Sequence, residues 1–290
     1  VAQDSLKLFQ PSIELNKKRL TTVVVGESVG YVGVMIGLNE MWYKDYPRSS
    51  FHGFNDNAEW MQMDKFGHAN TAYYVGLAGI EVLRWSGVKD KRAIWFGGTL
   101  GLMFLTSLEV YDGFSEEWGA STGDVVSNIA GTGLLIGQEL AWKEQRIRMK
   151  FSAHGSDYAQ HRPNVLGSTP SERMFKDYNG QTNWLSMNPS MFLPAESKFP
   201  KWLNIAVGYG AEGMLFGDDA AAADCELTAS ICALHDPYRQ FYLSFDVDLS
   251  RLPVKSGFLR LLLKTVNFIK IPAPTLEFNR DGMKGYFFYF

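Results

Sequence analysis

Asp64 with His68, Glu109 with Asp112, and Asp124 with Asn128 are three polar pairs set into otherwise apolar stretches, and Gly131 follows the third. Residues three or four apart share one face of a helix, so each pair projects side by side from its own helix. Carboxylates buried without partners are costly, whereas a mutually satisfied or ion-holding cluster is tolerated, so the three pairs are expected to converge. With Lys65, the set offers Glu109 or Asp124 as a base and His68 as an acid or ligand. Imidazole and carboxylate can share a divalent cation, and paired acids inside helical bundles build carboxylate metal sites. The alternative is a hydrogen-bond network in which His68 and Asn128 satisfy the carboxylates and hold the helices in register. The Glu-x-x-His repeats of di-iron bundles and the His-Glu-x-x-His of zinc proteases are both missing. The network is therefore the reading carried forward, with no catalytic residue, metal or cofactor assigned. His52, Asp56 and Glu59 could add ligands from the preceding stretch, but read more simply as a polar loop over a helix start.

Other chemical signatures are weak. Gly208, Gly210 and Gly213 spell Gly-x-Gly-x-x-Gly, yet no βαβ unit surrounds them, so the match is accidental. No Gly-x-Ser-x-Gly, Walker or Cys-His nucleophile pattern occurs. With 28 basic and 31 acidic residues and a net charge of -3, the chain has no basic field for nucleic acid. Its opening residues, Val1 to Ser5, look like what remains after removal of a signal peptide. Cys225 and Cys232 lie close together, and a disulfide between them would suit an oxidising compartment; two free thiols are the alternative.

The elements that must position the polar pairs are helices. The pattern predicts them over 18–46, 64–86 and 92–111, with a fourth starting at Ser121 or Thr122 and continuing past Gly137. Gly26, Gly30, Gly33 and Gly37 give the first helix a smooth strip, read as a surface where another helix packs closely. Its apolar run is interrupted by Glu27, and the uncharged core of the third helix is short for a bilayer, so neither is read as a span. A four-helix bundle follows, over residues 1–150. Residues 151–200, with Pro163, Pro170, Pro189, Pro194 and Pro200, lose periodicity and read as an extended strap. In 201–290, Phe241, Leu243, Phe245, Val247 and Leu249 alternate with Tyr242, Ser244, Asp246 and Asp248 as a strand does. A helix over 254–269 and a last strand from Gly285 to Phe290 complete the reading. The terminal aromatic strand resembles the end of outer-membrane barrels, but too few alternating segments precede it to close one. The expected class is mainly α: a compact four-helix bundle with Gly-rich, close-packed helices and an irregular C-terminal extension carrying a few short strands and one helix.

The blocks Met63-Asp64-Lys65-Phe66-Gly67-His68, Glu109-Val110-Tyr111-Asp112-Gly113-Phe114-Ser115 and Asp124-Val125-Val126-Ser127-Asn128-Ile129-Ala130-Gly131 resemble, in order, the YfiM-like family of periplasmic lipoproteins, itself distantly similar to VanZ-like membrane proteins. No cysteine stands near the start to carry a lipid, so anchoring by that route is not expected. The stretches Pro200 to Met214 and Arg239 to Leu249 resemble the longer Bacteroidetes members, which include plug subunits of the type IX secretion outer-membrane translocon. The resemblance implies a non-enzymatic protein at the inner face of the outer membrane. Such a protein would occlude the periplasmic end of a large SprA-like β-barrel and be membrane-associated through that partner, with no small-molecule substrate. The rival expectation is an envelope enzyme or metal-dependent protein acting on lipid or cell-wall material through Asp64, His68, Glu109 and Asp124.

Overall fold

The computed structural model describes residues 10–290 except Asp45 and Ala195; the opening residues Val1 to Ser5 lie outside the described set. The chain divides into two units. The first holds residues up to Asp56 together with His68–Gln145, and the second holds Asn57–Gly67 with Arg146–Phe290.

The first unit is helical. Helix α1 spans Lys17–Leu38, starts on an Asn16 cap whose side chain accepts from the Arg19 N–H at 3.1 Å, and runs on into a wider π turn over Asn39–Tyr43. Helix α2 covers Met63–Trp85, its first turn counting with the second unit. The predicted third helix is two pieces, α3 (Asp90–Gly98) and α4 (Leu100–Asp112), meeting at Thr99. Helix α5 covers Thr122–Trp142. Ser121 caps it by accepting from the Asp124 N–H at 3.2 Å, and Lys143 ends it in the left-handed region at φ 57°.

Glycine lets these helices meet, though not on the strip the sequence singled out. A Cβ at Gly131 would lie 2.0 Å from the Ala69 carbonyl oxygen, and one at Gly101 2.2 Å from that of Ala72, so α5 and α4 both approach α2 backbone to backbone. At Gly26, Gly30, Gly33 and Gly37 a Cβ would meet nothing within 4 Å. The glycine strip of α1 therefore faces open space instead of packing. The same helix exposes Val24, Val25, Val29, Val32 and Ile36, and only 6% of its most apolar window is buried. Two described stretches, Lys17–Tyr43 and Asp90–Asp112, are long and apolar enough to cross a membrane.

The second unit overturns the expected fold class. It is built on a six-stranded antiparallel meander: β1 (Ile147–Ala153), β2 (Gln181–Met187), β3 (Leu203–Glu212), β4 (Tyr238–Val247), β5 (Ala273–Asn279) and β6 (Gly282–Tyr289), paired in that order. The segment read as an extended strap contains β2, two short helices at Pro163–Leu166 and Pro170–Lys176, and the end of β1. Pro163, Pro170 and Pro189 begin short helical turns, where their missing N–H costs nothing, and so do not preclude strands between them. One longer helix, α6 (Gly257–Thr265), interrupts the β4–β5 connection. The Cys225–Cys232 disulfide is present, within the β3–β4 connection.

The sheet buries the wrong face by ordinary soluble standards. Its inward side carries Lys150, Ser152, Thr182, Trp184, Ser186, Asn204, Gln240, Tyr242, Ser244, Asp246, Thr275 and Glu277, all buried. Lys150 Nζ sits 2.7 Å from Asp246 Oδ2, which also accepts from Ser186 Oγ at 2.6 Å. Trp184 Nε1 donates to Ser152 Oγ at 3.0 Å, and the Tyr289 hydroxyl donates to that of Tyr242 at 2.8 Å. The expected alternation of β4 is correct, but its apolar residues point outward and its polar ones inward.

Candidate functional site

The polar pairs of the first unit converge. His68 comes from α2, Glu109 and Asp112 from the last turn of α4, and Asp124 and Asn128 from the first two turns of α5. His68, Glu109 and Asp124 each offer a ligand atom within 4.8 Å of the others. His68 Nδ1 lies 3.2 Å from Asn128 Oδ1 and 3.7 Å from Glu109 Oε1, and its Nε2 is 3.9 Å from Asp124 Oδ1. A proton on Nδ1, placed to reach Asn128, leaves the Nε2 lone pair of a neutral ring facing a carboxylate.

The start of α5 organises the other side. Ser121 donates its backbone N–H to Glu109 Oε2 at 2.9 Å and its hydroxyl to Asp56 Oδ1 at 2.6 Å, while capping α5. The positive end of the helix dipole thus faces a group of carboxylates. Glu109 Oε1 and Asn128 Nδ2 are buried and make no hydrogen bond. Burial drives the Glu109 carboxyl up to about 7, helped by the neighbouring Asp124 and opposed by the Ser121 N–H. Asp112 is likewise raised to about 7, mainly by burial, although Tyr43 donates its hydroxyl to it. Two acids poised near neutral pH could exchange protons or bind a divalent cation. Oxygen and imidazole donors suit such an ion.

Asp64 and Lys65 occupy the first turn of α2, one turn before His68, and Lys65 Nζ bonds Asp64 Oδ2 at 2.8 Å. Of the loop candidates, Asp56 holds Ser121, whereas His52 Nδ1 faces Ser49 Oγ at 3.2 Å. Glu59 lies in the second unit, where its carboxylate borders Gly217. Gly208 and Gly210 sit on β3, the former giving room to the Trp184 ring, and Gly213 follows at φ 85°. They are packing positions on a strand and its exit, not a phosphate loop.

Three partners escaped sequence reading. Tyr43 gave no signal, since a lone tyrosine is common, and Ser121 was legible only as a helix start, not as the donor to Glu109 and Asp56. The third is a separate buried network at the other end of the bundle: Glu139 accepts from Arg84 Nη2 at 2.7 Å and from Gln145 Nε2 at 2.8 Å, and Tyr73 donates to Gln145 Oε1 at 3.0 Å. Glu139 and Gln145 lie near Lys143, Glu144 and Arg146 in the chain, and their spacing gives no reason to bury them. Only tertiary contact with α2 identifies them.

Residues 52–136 match the family described as predicted periplasmic lipoprotein (DUF2279). The match begins at His52, contains Asp56, His68, Glu109, Asp112, Asp124 and Asn128, and ends before the six-stranded sheet. It supports a periplasmic protein and covers the same stretch as the three sequence blocks. No curated protein and no solved structure matches the chain.

Proposed function

We propose that this protein is a non-enzymatic subunit that closes the periplasmic end of the outer-membrane protein-conducting channel of a type IX secretion system. In this reading it is seated against a large SprA-like β-barrel at the inner face of the outer membrane. The observation that supports it is the ordered trio of motif blocks within the stretch that matches a periplasmic lipoprotein family. Close backbone contact at Gly101 and Gly131 packs α4 and α5 tightly against α2, a rigidity suited to blocking an aqueous pore. Affinity purification of the tagged chain from detergent-solubilised membranes is expected to recover a very large barrel protein. Deletion of the gene is expected to make the outer membrane leaky to large solutes. Recovery of the chain without such a barrel, together with unchanged permeability, would sink the proposal.

The geometry of His68, Glu109 and Asp124 favours a second reading, a divalent-cation site. Its support is the 4.8 Å cluster with a buried Glu109 oxygen that lacks a hydrogen bond. Purified protein is then expected to hold near-stoichiometric metal that His68→Ala and Glu109→Gln each remove. Metal-free protein with unchanged thermal stability after addition of divalent ions would leave only the hydrogen-bond network.

A further inference from the structure

We infer that the C-terminal sheet unit is a lipid-binding module whose outer face lies in the acyl region of one leaflet of an anionic phospholipid bilayer. The inference is independent of the channel reading, because it rests on residues outside the family match.

Three observations carry it. The first is the inversion of the sheet. Outward positions Leu203, Ile205 and Val207 on β3, Phe241, Leu243, Phe245 and Val247 on β4, and Leu276 and Phe278 on β5 form one apolar field by register. Val207 and Phe241 are each 53% exposed and Phe245 is 52% exposed. Meanwhile Lys150 and Lys270 are fully buried on or beside the inner face. A sheet in water gains by burying the first set and solvating the second. Apolar-out and polar-in is the alternation of strands whose outer solvent is lipid.

The second observation is the difference between the two ends of the sheet. The β2–β3 and β4–β5 connections, residues 188–202 and 248–272, leave from the same end, where the C-terminus also arrives. They carry Lys198, Lys201, Arg251, Lys255, Arg260 and Lys264 against a single exposed acid, Glu196. The β3–β4 connection at the opposite end, residues 213–237, carries Asp218, Asp219, Asp224, Glu226 and Asp236 with no Lys or Arg. A basic fringe bordering an apolar field complements anionic headgroups; an acidic loop belongs away from them.

The third is α6, which hangs from the basic end. It exposes Phe258, Leu259, Leu261 and Leu262, and its cations Arg260 and Lys264 fall one turn apart on a single side. Such a helix lies at a membrane interface, with its apolar side in the acyl boundary and its cations among phosphates. Trp202 is exposed at the same end, where its ring suits the headgroup level, and Phe192, Phe268, Phe288 and Phe290 add exposed apolar surface beside it.

Depth follows from length. Outward positions from Leu203 to Val207 cover about 13 Å at roughly 3.3 Å per residue, because Tyr209 beyond them is stacked on Phe66. That falls short of the roughly 30 Å hydrocarbon core, so the face seats in one leaflet and does not cross.

The experiment uses the full chain with vesicles of phosphatidylethanolamine and phosphatidylglycerol in a ratio of about three to one, which present an anionic surface. Spin labels are placed singly through Val207→Cys, Phe245→Cys and, as the water-facing control, Asp219→Cys. All three positions are solvent-facing, so the labels leave the packing intact. The first two labels are expected to become accessible to oxygen and protected from a water-soluble nickel chelate on vesicle binding, while the Asp219 label stays open to the chelate. This readout is insensitive to adhesion through the apolar helix α1. Charge reversal by Arg260→Glu with Lys264→Glu is expected to weaken binding at least tenfold on anionic vesicles and to leave binding to pure phosphatidylcholine unchanged. Equal chelate accessibility at Val207 and Phe245 with and without vesicles would overturn the inference. So would protection of both labels without lipid in a concentration-dependent dimer, since a second copy would then be the occupant.

Discussion

Glu109 is the residue on which the site turns. Its carboxyl is buried, one oxygen accepts from Ser121 and the other accepts nothing, so protonation relieves it. A folded value of about 7 against an ordinary 4.5 has a definite sign: the native state holds the proton more tightly than the unfolded chain. The associated stability is present below pH 4.5 and is lost as pH rises through 7. The rise corresponds to roughly 3 kcal/mol at most. Melting temperature is therefore expected to fall between pH 5 and 8, and Glu109→Gln is expected to flatten that fall. A bound divalent cation would reverse the trend, so repeating the titration with and without chelator separates the two states of the site. On the other unit, Lys150 and Asp246 neutralise each other with no exposure to water. Lys150→Met leaves the Asp246 charge buried and is expected to cost about 3 to 5 kcal/mol by urea unfolding, with Asp246→Asn in the same chain recovering part of it.

Among the elements, the helices differ in what their glycines do. Gly131 lets α5 reach the α2 backbone at Ala69, where neither side can yield. Gly131→Val is expected to destabilise the bundle by about 2 kcal/mol or more, from overpacking against backbone. Gly30 faces open space, so Gly30→Ala is expected to stabilise α1 by roughly 0.5 to 1 kcal/mol through helix propensity alone. Thermal unfolding of the two variants checks both signs at once, and a loss of stability at Gly30 would show that α1 does pack there. Helical periodicity was legible because the sequence spacing already places His68, Glu109 and Asn128 on inward faces. The meander was less legible. β4 alternates over ten residues and β5 over a shorter run, whereas β1 and β2 carry Lys150, Asn183 and Trp184 where a soluble strand would show a clean apolar stripe.

For the whole molecule, the exposed apolar surface sets the question of environment. Helix α1 and the outer face of the sheet both present valine, leucine, isoleucine and phenylalanine to their surroundings. Patches of this kind on a native protein mark contact with a partner or a membrane. The channel proposal rests on the motif blocks of the helical unit and the lipid inference on the sheet, so the two are tested separately. The sequence by itself determined the three polar blocks, their helices, the close cysteines and the alternation of β4, because these depend on spacing along the chain. Tertiary structure alone decided that His68, Glu109 and Asp124 meet, that the strip of α1 stays open, and that the apolar face of the sheet looks outward. Alternation fixes that two faces differ, but which one is buried depends on strands brought together from Ile147 to Tyr289, and on which solvent their outer side must meet.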